Sequence, residues 1–115
     1  MGFTTKYTFD QRKAESDRIL LKYPEKIPII CEKYKNCKSL HVLDKNKFLA
    51  GNDMSMGQFV YVIRKRLKLA PSEAIFLFTN NILVPSSELL LNVYAEQKAD
   101  DGFLYIQFSM ENTFG

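Results

Sequence analysis

Met56, Phe59, Val60, Ile63 and Leu67 follow Ser55 at i, i+3, i+4, i+7 and i+11. This spacing predicts an α-helix with one apolar stripe, capped by Ser55. Gln58, Tyr61, Val62 and Lys65 fall on its outer side, flanked by Arg64 and Arg66. Such a helix is expected to pack on a sheet. A second helical stretch, about residues 10–23, is charged almost throughout and has only Ala14, Ile19, Leu20 and Leu21 as an apolar set. Thr8-x-x-Gln11 resembles a capping box, and Tyr23-Pro24 marks the end, because a residue before proline is pushed out of the helical region. So thin a stripe predicts a helix lying on a surface, added to a fold that exists without it.

Between and after these helices the period changes. Ile27-Pro28-Ile29-Ile30-Cys31-Glu32 reads as a strand with its proline near the start, where a missing N–H is tolerated. A polar loop, Lys35 to Val42, leads to a short strand at Lys47-Phe48-Leu49-Ala50. Period two puts Lys47 with Leu49 on one face and Phe48 with Ala50 on the other. Beyond the main helix, Ala74 to Phe78 is a nearly continuous apolar strand, Asn80-Asn81 marks a turn, and Ile82-Leu83-Val84 returns from it. A short helix near Glu88–Gln97, a turn at Asp100-Asp101-Gly102 and a last strand, Phe103 to Ser109, complete the order. Two hairpin-like pairs either side of a packed helix, with the final strand inserted between them, describe an α+β β-grasp. In that arrangement the last strand is central.

Composition narrows the class. At 115 residues, 46% hydrophobic and 25% charged, the chain has the profile of one ordinary globular domain able to bury a core. No apolar run approaches the ~18–20 residues of a membrane span, and the N-terminus lacks a secretory signal. Met1-Gly2 does not make a myristoylation motif, because Lys6 stands where Ser or Thr is required. The unmodified protein is therefore expected to be cytoplasmic. Charge is uneven: residues 1–47 hold eleven Lys or Arg against six acids, whereas residues 48–115 hold five against seven. On charge alone nucleic acid, an acidic peptide and an anionic membrane are all open.

Candidate chemistry within the chain is sparse. Cys31, Cys37 and His41 form C-x5-C-x3-H, a spacing with no established zinc site, and buried thiols are the expected state. No metal is expected. A cysteine nucleophile using His41 as base lacks a third orienting group, and neither paired carboxylates nor a phosphate-cradling glycine loop is present, so no enzyme is expected. Arg64-Lys65-Arg66-Leu67-Lys68 reads as a solvated helix end that complements the helix dipole, and no nucleic-acid partner is expected. The chain closes on Gly115. Glycine, having no Cβ, lies extended in narrow channels and leaves its carboxylate open to activation, so this end is expected to serve as a chemical handle.

Eight blocks in order give a specific likeness. Lys22-Tyr23-Pro24, Ile27-Pro28-Ile29-Ile30, Leu43-Asp44-Lys45, Lys47-Phe48-Leu49, Met56-Gly57-Gln58-Phe59, Ile63-Arg64-Lys65-Arg66, Asn80-Asn81 and Asp101-Gly102-Phe103-Leu104-Tyr105, with the closing Phe114-Gly115, resemble the autophagy-related ubiquitin-like modifier family. The resemblance runs nearly end to end. It implies a ubiquitin-like β-grasp with two additional N-terminal helices: an extension over residues 1–24, a core over 25–109, and a flexible tail over 110–115.

The resemblance also implies a function. The carboxyl group of Gly115 would be adenylated, passed as a thioester between the cysteines of an activating and a conjugating enzyme, and joined to the amine of phosphatidylethanolamine. ATP and the catalytic cysteines belong to those partners, so the chain itself would need no cofactor. A cysteine protease would process or release the conjugate. Lipidated, the protein would mark autophagosomal and vacuolar-pathway membranes.

A second implied activity is docking of aromatic-x-x-aliphatic motifs of cargo receptors and adaptors by strand addition. By position, the aromatic pocket would be lined by Glu15, Ile19, Pro28, Ile30, Lys47, Leu49 and Phe103. Phe48, Ala50, Met54, Met56, Phe59 and Val62 would line the aliphatic pocket, with Lys45 and Arg66 on a charged rim. The alternation in Lys47–Ala50 is consistent with one edge strand serving two pockets from opposite faces. The chain departs from the family pattern at Lys26, at Ala50-Gly51, at Phe108 and in the Cys37–Val42 loop. The small Ala50 would deepen or loosen the aliphatic pocket.

Overall fold

A computed structural model describes residues 2–38 and 41–110. Its elements run α1 (Phe3–Lys6), α2 (Phe9–Lys22), β1 (Lys26–Lys33), β2 (Lys47–Gly51), α3 (Met56–Leu67), β3 (Phe76–Thr79), β4 (Ile82–Leu83), α4 (Leu90–Gln97) and β5 (Leu104–Ser109). The strands form one mixed sheet in the order β2-β1-β5-β3-β4, parallel only between β1 and β5. The last strand is central, as the β-grasp requires.

Local chemistry explains most of the boundaries. Both long helices open with complete capping boxes: Thr8 Oγ1 accepts from Gln11 N at 3.1 Å while Gln11 Oε1 accepts from Thr8 N at 2.8 Å, and Ser55 and Gln58 repeat the exchange at 3.2 and 2.8 Å. Asn80 and Asn81 are both left-handed, at φ 50° and 63°, which is the requirement of the tight type I′ turn that joins β3 to β4. Pro28 removes no ladder bond. Cys31 N–H points to β2, reaching Asn46 O at 2.7 Å, so by period two the Pro28 nitrogen faces β5, and that ladder starts only at Ile29.

Two differences from the periodicity have a clear physical cause. Strand β3 begins at Phe76, not Ala74, because β5 ends at Ser109, the partner of Phe76, and offers the two preceding residues no ladder. The one-turn helix α1 has no apolar periodicity of its own; it is held by the Phe3 N–H, which donates to Glu32 Oε2 at 3.0 Å, and by the burial of the Phe3 ring.

The sheet has apolar contacts on both faces. On one, α3 buries Met56, Phe59, Ile63 and Leu67 against Ile27, Ile29, Cys31, Phe48, Ala50, Leu104, Ile106 and Phe108. On the other, α1 and α2 cover a smaller cluster of Phe3, Ile19, Ile30 and Phe103, with Tyr105 against it. Helix α2 is the surface helix its sequence predicts, but with a different inner edge. Leu21 is 87% exposed, and the residues buried are Ile19 and the polar Ser16. Val62, expected on the outer side of α3, is half-buried against the main core. Met110, expected in the tail, also packs there.

Candidate functional site

Strand β2 is an edge strand, and its two faces meet different surroundings. Its burial alternates as period two requires: Phe48 and Ala50 are buried, Leu49 is exposed and Lys47 half-buried. Pairing places Leu49 beside Pro28 and Lys47 beside Ile30 on the α2 side, and Phe48 beside Ile29 and Ala50 beside Ile27 on the α3 side. The register therefore puts the β1 and β2 members of each sequence-predicted set on one side of the sheet.

On the α2 side, Ile19, Ile30 and Phe103 share the smaller core, each no more than 2% exposed, and Pro28 is buried. Leu49, at 42%, forms the outer lip. Glu15 of α2 and Lys47 of β2 form an ion pair that spans from helix to strand, and Glu15 also accepts from Arg18 Nε at 2.8 Å. Hydrogen bonds from Arg18 and then Lys47 hold the Glu15 carboxyl at about 2, well below the usual carboxylate range. Glu15 and Lys47 also line a cleft of about 340 Å³ shared with Phe3, Lys6, Tyr7, Gln11 and Arg12.

On the α3 side, Phe48 and Phe59 pack edge-on with centroids 5.7 Å apart. Met56 and Phe59 are fully enclosed, whereas Met54 and Val62 are half-buried at the surface. Lys45 and Arg66 converge on the Phe48 ring, their cationic groups 4.8 and 5.9 Å from its centroid, and Arg66 also pairs with Asp44 at 3.1 Å. The rim charges are thus held over the aromatic ring that separates them from the core. Gly115 lies outside the described residues.

Other candidate chemistry is absorbed into local structure. Within the basic run, Arg64 donates to the carbonyls of Glu73 and Ala70 at 2.6 and 2.9 Å, and Lys65 lies over Tyr61 at 5.1 Å. His41 Nε2 lies 2.8 Å from Glu73 Oε2. Cys31 and Cys37 are buried thiols, as expected, and burial pushes the Cys31 thiol up, away from the thiolate a nucleophile needs.

Sequence reasoning missed one group altogether. Asp101, expected only as a turn residue, is 2% exposed and bonded to Arg12, Tyr105 and the Phe103 backbone. Burial acts to raise its carboxyl, but the hydrogen bonds from Tyr105, Phe103 N and Arg12 outweigh that and hold it below the ordinary value. The same burial, with the bond to Asp101, pushes the Tyr105 phenol up. An Asp before Gly is so common in turns that its pattern carries no sign of a partner 89 positions away.

Comparison with known proteins accords with this architecture. Residues 11–115 match the family model described as autophagy protein Atg8, ubiquitin-like. Autophagy-related protein 8 of Schizosaccharomyces pombe is 51% identical over 113 residues, covering 98% of this chain and 93% of the relative, and that of Coccidioides immitis is 50% identical over 113 residues, covering 98% and 96%. The crystal structure of Trypanosoma brucei ATG8 superposes with a TM-score of 0.89 at 38% identity, covering 95% of this chain and 93% of that one. With its ubiquitin-like fold, the chain belongs to the Atg8 family of ubiquitin-like autophagy proteins.

Proposed function

We propose that this protein is a modifier joined through Gly115 to phosphatidylethanolamine, and that it docks aromatic-x-x-aliphatic peptides along β2. Family membership supports the first part: the match extends through residue 115, and relatives about half identical are named for autophagy. The carboxyl group displaces pyrophosphate from ATP to give an acyl adenylate on an activating enzyme. A cysteine thiol then displaces AMP, the thioester passes to a conjugating enzyme, and the lipid amine attacks the carbonyl and expels the thiol. All catalytic groups belong to the partners, so the protein is a substrate and not an enzyme. A cysteine protease processes or deconjugates it.

The anchor changes location by simple energetics. No described helix is long and apolar enough to cross a membrane. Each buried methylene of a lipid chain contributes about 0.8 kcal/mol, and two chains hold firmly where one binds marginally. Conjugation thereby moves a cytoplasmic chain to autophagosomal and vacuolar-pathway membranes.

The observation that carries the docking reading is the edge strand itself, with Leu49 and Pro28 on one side and Phe48 and Ala50 on the other. A peptide adding to β2 gains backbone hydrogen bonds and directs alternate side chains toward each cluster. Its aromatic residue enters beneath the Glu15–Lys47 pair, against Ile19, Pro28, Ile30, Leu49 and Phe103. Its aliphatic residue enters among Phe48, Ala50, Met54, Met56, Phe59 and Val62. Lys45, Lys47 and Arg66 face the acidic residues that flank such motifs in cargo receptors and adaptors. The two anchors contribute about 1.5–3 kcal/mol each, the strand bonds add to them, and the expected affinity is about micromolar, near −8 kcal/mol.

Incubation with ATP, the activating and conjugating enzymes and phosphatidylethanolamine liposomes, read by intact mass, tests the conjugation. The expected result is a gain of one lipid, abolished in Gly115→Ala while peptide binding persists. Peptide binding without any adduct on the wild-type chain would instead make the protein a non-conjugated docking adaptor.

A further inference from the structure

The aromatic cluster is bounded by parts distant in sequence. Its wall, Glu15 and Ile19, belongs to α2, and its floor includes Phe103, just ahead of β5. A single carboxylate ties them together. Asp101 Oδ1 accepts from Phe103 N at 3.0 Å, fixing the floor residue by its backbone. Asp101 Oδ2 accepts from Arg12 Nε at 2.8 Å and from the Tyr105 hydroxyl, fixing the helix that carries the wall. The Asp101 carbonyl accepts from Ser16 Oγ, one residue from Glu15 on the same helix.

The network extends on both sides. Arg12 Nη1 donates to the Tyr7 and Thr4 carbonyls at 2.7 and 3.3 Å, so the same guanidinium holds α1, whose Phe3 ring packs edge-on to Phe103 at 5.3 Å. Tyr94 donates its hydroxyl to Gly102 O at 2.7 Å. Gly102 itself sits at φ +90°, and a Cβ there would collide with the Ser16 hydroxyl. The turn and α2 are therefore in close contact through polar atoms.

We propose that Asp101, with Arg12, is a positioning residue for the aromatic anchor: it sets the separation between α2 and Phe103, and so the width of the slot, without touching the peptide. This rests on the docking function proposed above. The two oxygens of a carboxylate have a fixed separation, so a helix bonded to one and a backbone bonded to the other are held in register. Replacing one oxygen by an amide nitrogen leaves a donor facing either Arg12 or, with the amide flipped, the Phe103 N–H, so one side of the tie is lost while the shape of the residue is kept.

The chain contains no tryptophan, so the emission of an acidic peptide of tryptophan-x-x-leucine form reports its own surroundings in the complex. The wild type is expected to bind it at about micromolar concentration and shift its emission to the blue. Asp101→Asn is expected to weaken binding about tenfold and leave the bound tryptophan more accessible to iodide. By calorimetric titration, which needs no tryptophan, a peptide with alanine in place of leucine should show the same tenfold penalty, whereas one with alanine in place of tryptophan should show almost none. Equal penalties for both truncated peptides, or no penalty, would overturn the proposal. Should Asp101→Asn fail to fold, Tyr105→Phe removes one bond to the same oxygen and should give about a threefold loss with the same dependence on peptide; a loss independent of the tryptophan overturns the proposal equally. Wild-type protein that does not bind, or binding unaffected by Leu49→Ala, sinks the β2 docking reading itself, whereas normal wild-type binding with an inert Asp101 sinks only the positioning role.

Discussion

The two faces of the sheet are held by different physics. Under α3 lies a continuous apolar core, fed by a helix with four buried positions and by four strands. Under α1 and α2 lies a cluster of four buried residues, and the helices above it are fastened by Arg12–Asp101, Glu15–Lys47, Ser16 and the Phe3–Glu32 bond. Apolar packing is dense and changes little when a surface residue changes. Polar ties are directional and few, so a face built on them adjusts when one is exchanged for a ligand group. The proposed aromatic slot lies on the polar-tied face, and its partner on the packed one.

The largest effect is expected from breaking the packed face. Phe59→Ala removes a ring that is 2% exposed and packed against Phe48, and should lower unfolding free energy by about 3–5 kcal/mol in urea titrations. A loss under about 1 kcal/mol would mean that this core is not the one holding the fold. Arg12→Ala attacks the other face. Its side chain is 14% exposed and its partner's 3%, and losing hydrogen bonds to a charged group costs about 1.5–3 kcal/mol. Hydrogen exchange should show α1 and α2 losing protection well before α3; uniform loss would erase the distinction between the faces.

A smaller effect sharpens the contrast through pH. Glu15 has an ordinary pKa of 4.5 and is held at about 2 in the fold. A depressed carboxylate contributes stability that is complete above its unfolded value and disappears as pH falls from about 4.5 through about 2. The contribution is under about 1 kcal/mol for so accessible a pair. Exchange in α2 should accelerate across that window and not in Glu15→Gln; identical profiles would refute the role of the pair. Smallest in stability is Leu49→Ala. That side chain is 42% exposed, so unfolding should change by no more than about 0.5 kcal/mol. Peptide binding should nevertheless fall about tenfold by titration, and unchanged binding would remove β2 from the site.

The legible parts of the chain were those governed by local rules. Ser55, Thr8 with Gln11, and Asn80-Asn81 act within a few residues of themselves, and each does in space what its pattern predicts. The alternation of Lys47–Ala50 likewise survives intact, because period two is a property of the extended backbone. Helix α2 was harder. Its pattern offered Leu21 as an inner residue and gave no reason to bury Ser16, since that choice depends on the carbonyl of Asp101, 85 positions away.

What the amino-acid order determined alone was the set of elements other than α1, most of their caps and turns, and the two-sided character of β2, all products of interactions reaching no further than a turn of helix or a strand pleat. Tertiary structure decided the rest. It brought α2 and the Asp101 turn against each other, drew Lys45 and Arg66 over Phe48, and enclosed a charged carboxylate that the sequence marks only as a turn. The physical reason is that an ion or hydroxyl is buried only where a specific partner arrives to replace water, and that arrival is set by the packing of distant segments, not by the residues beside it.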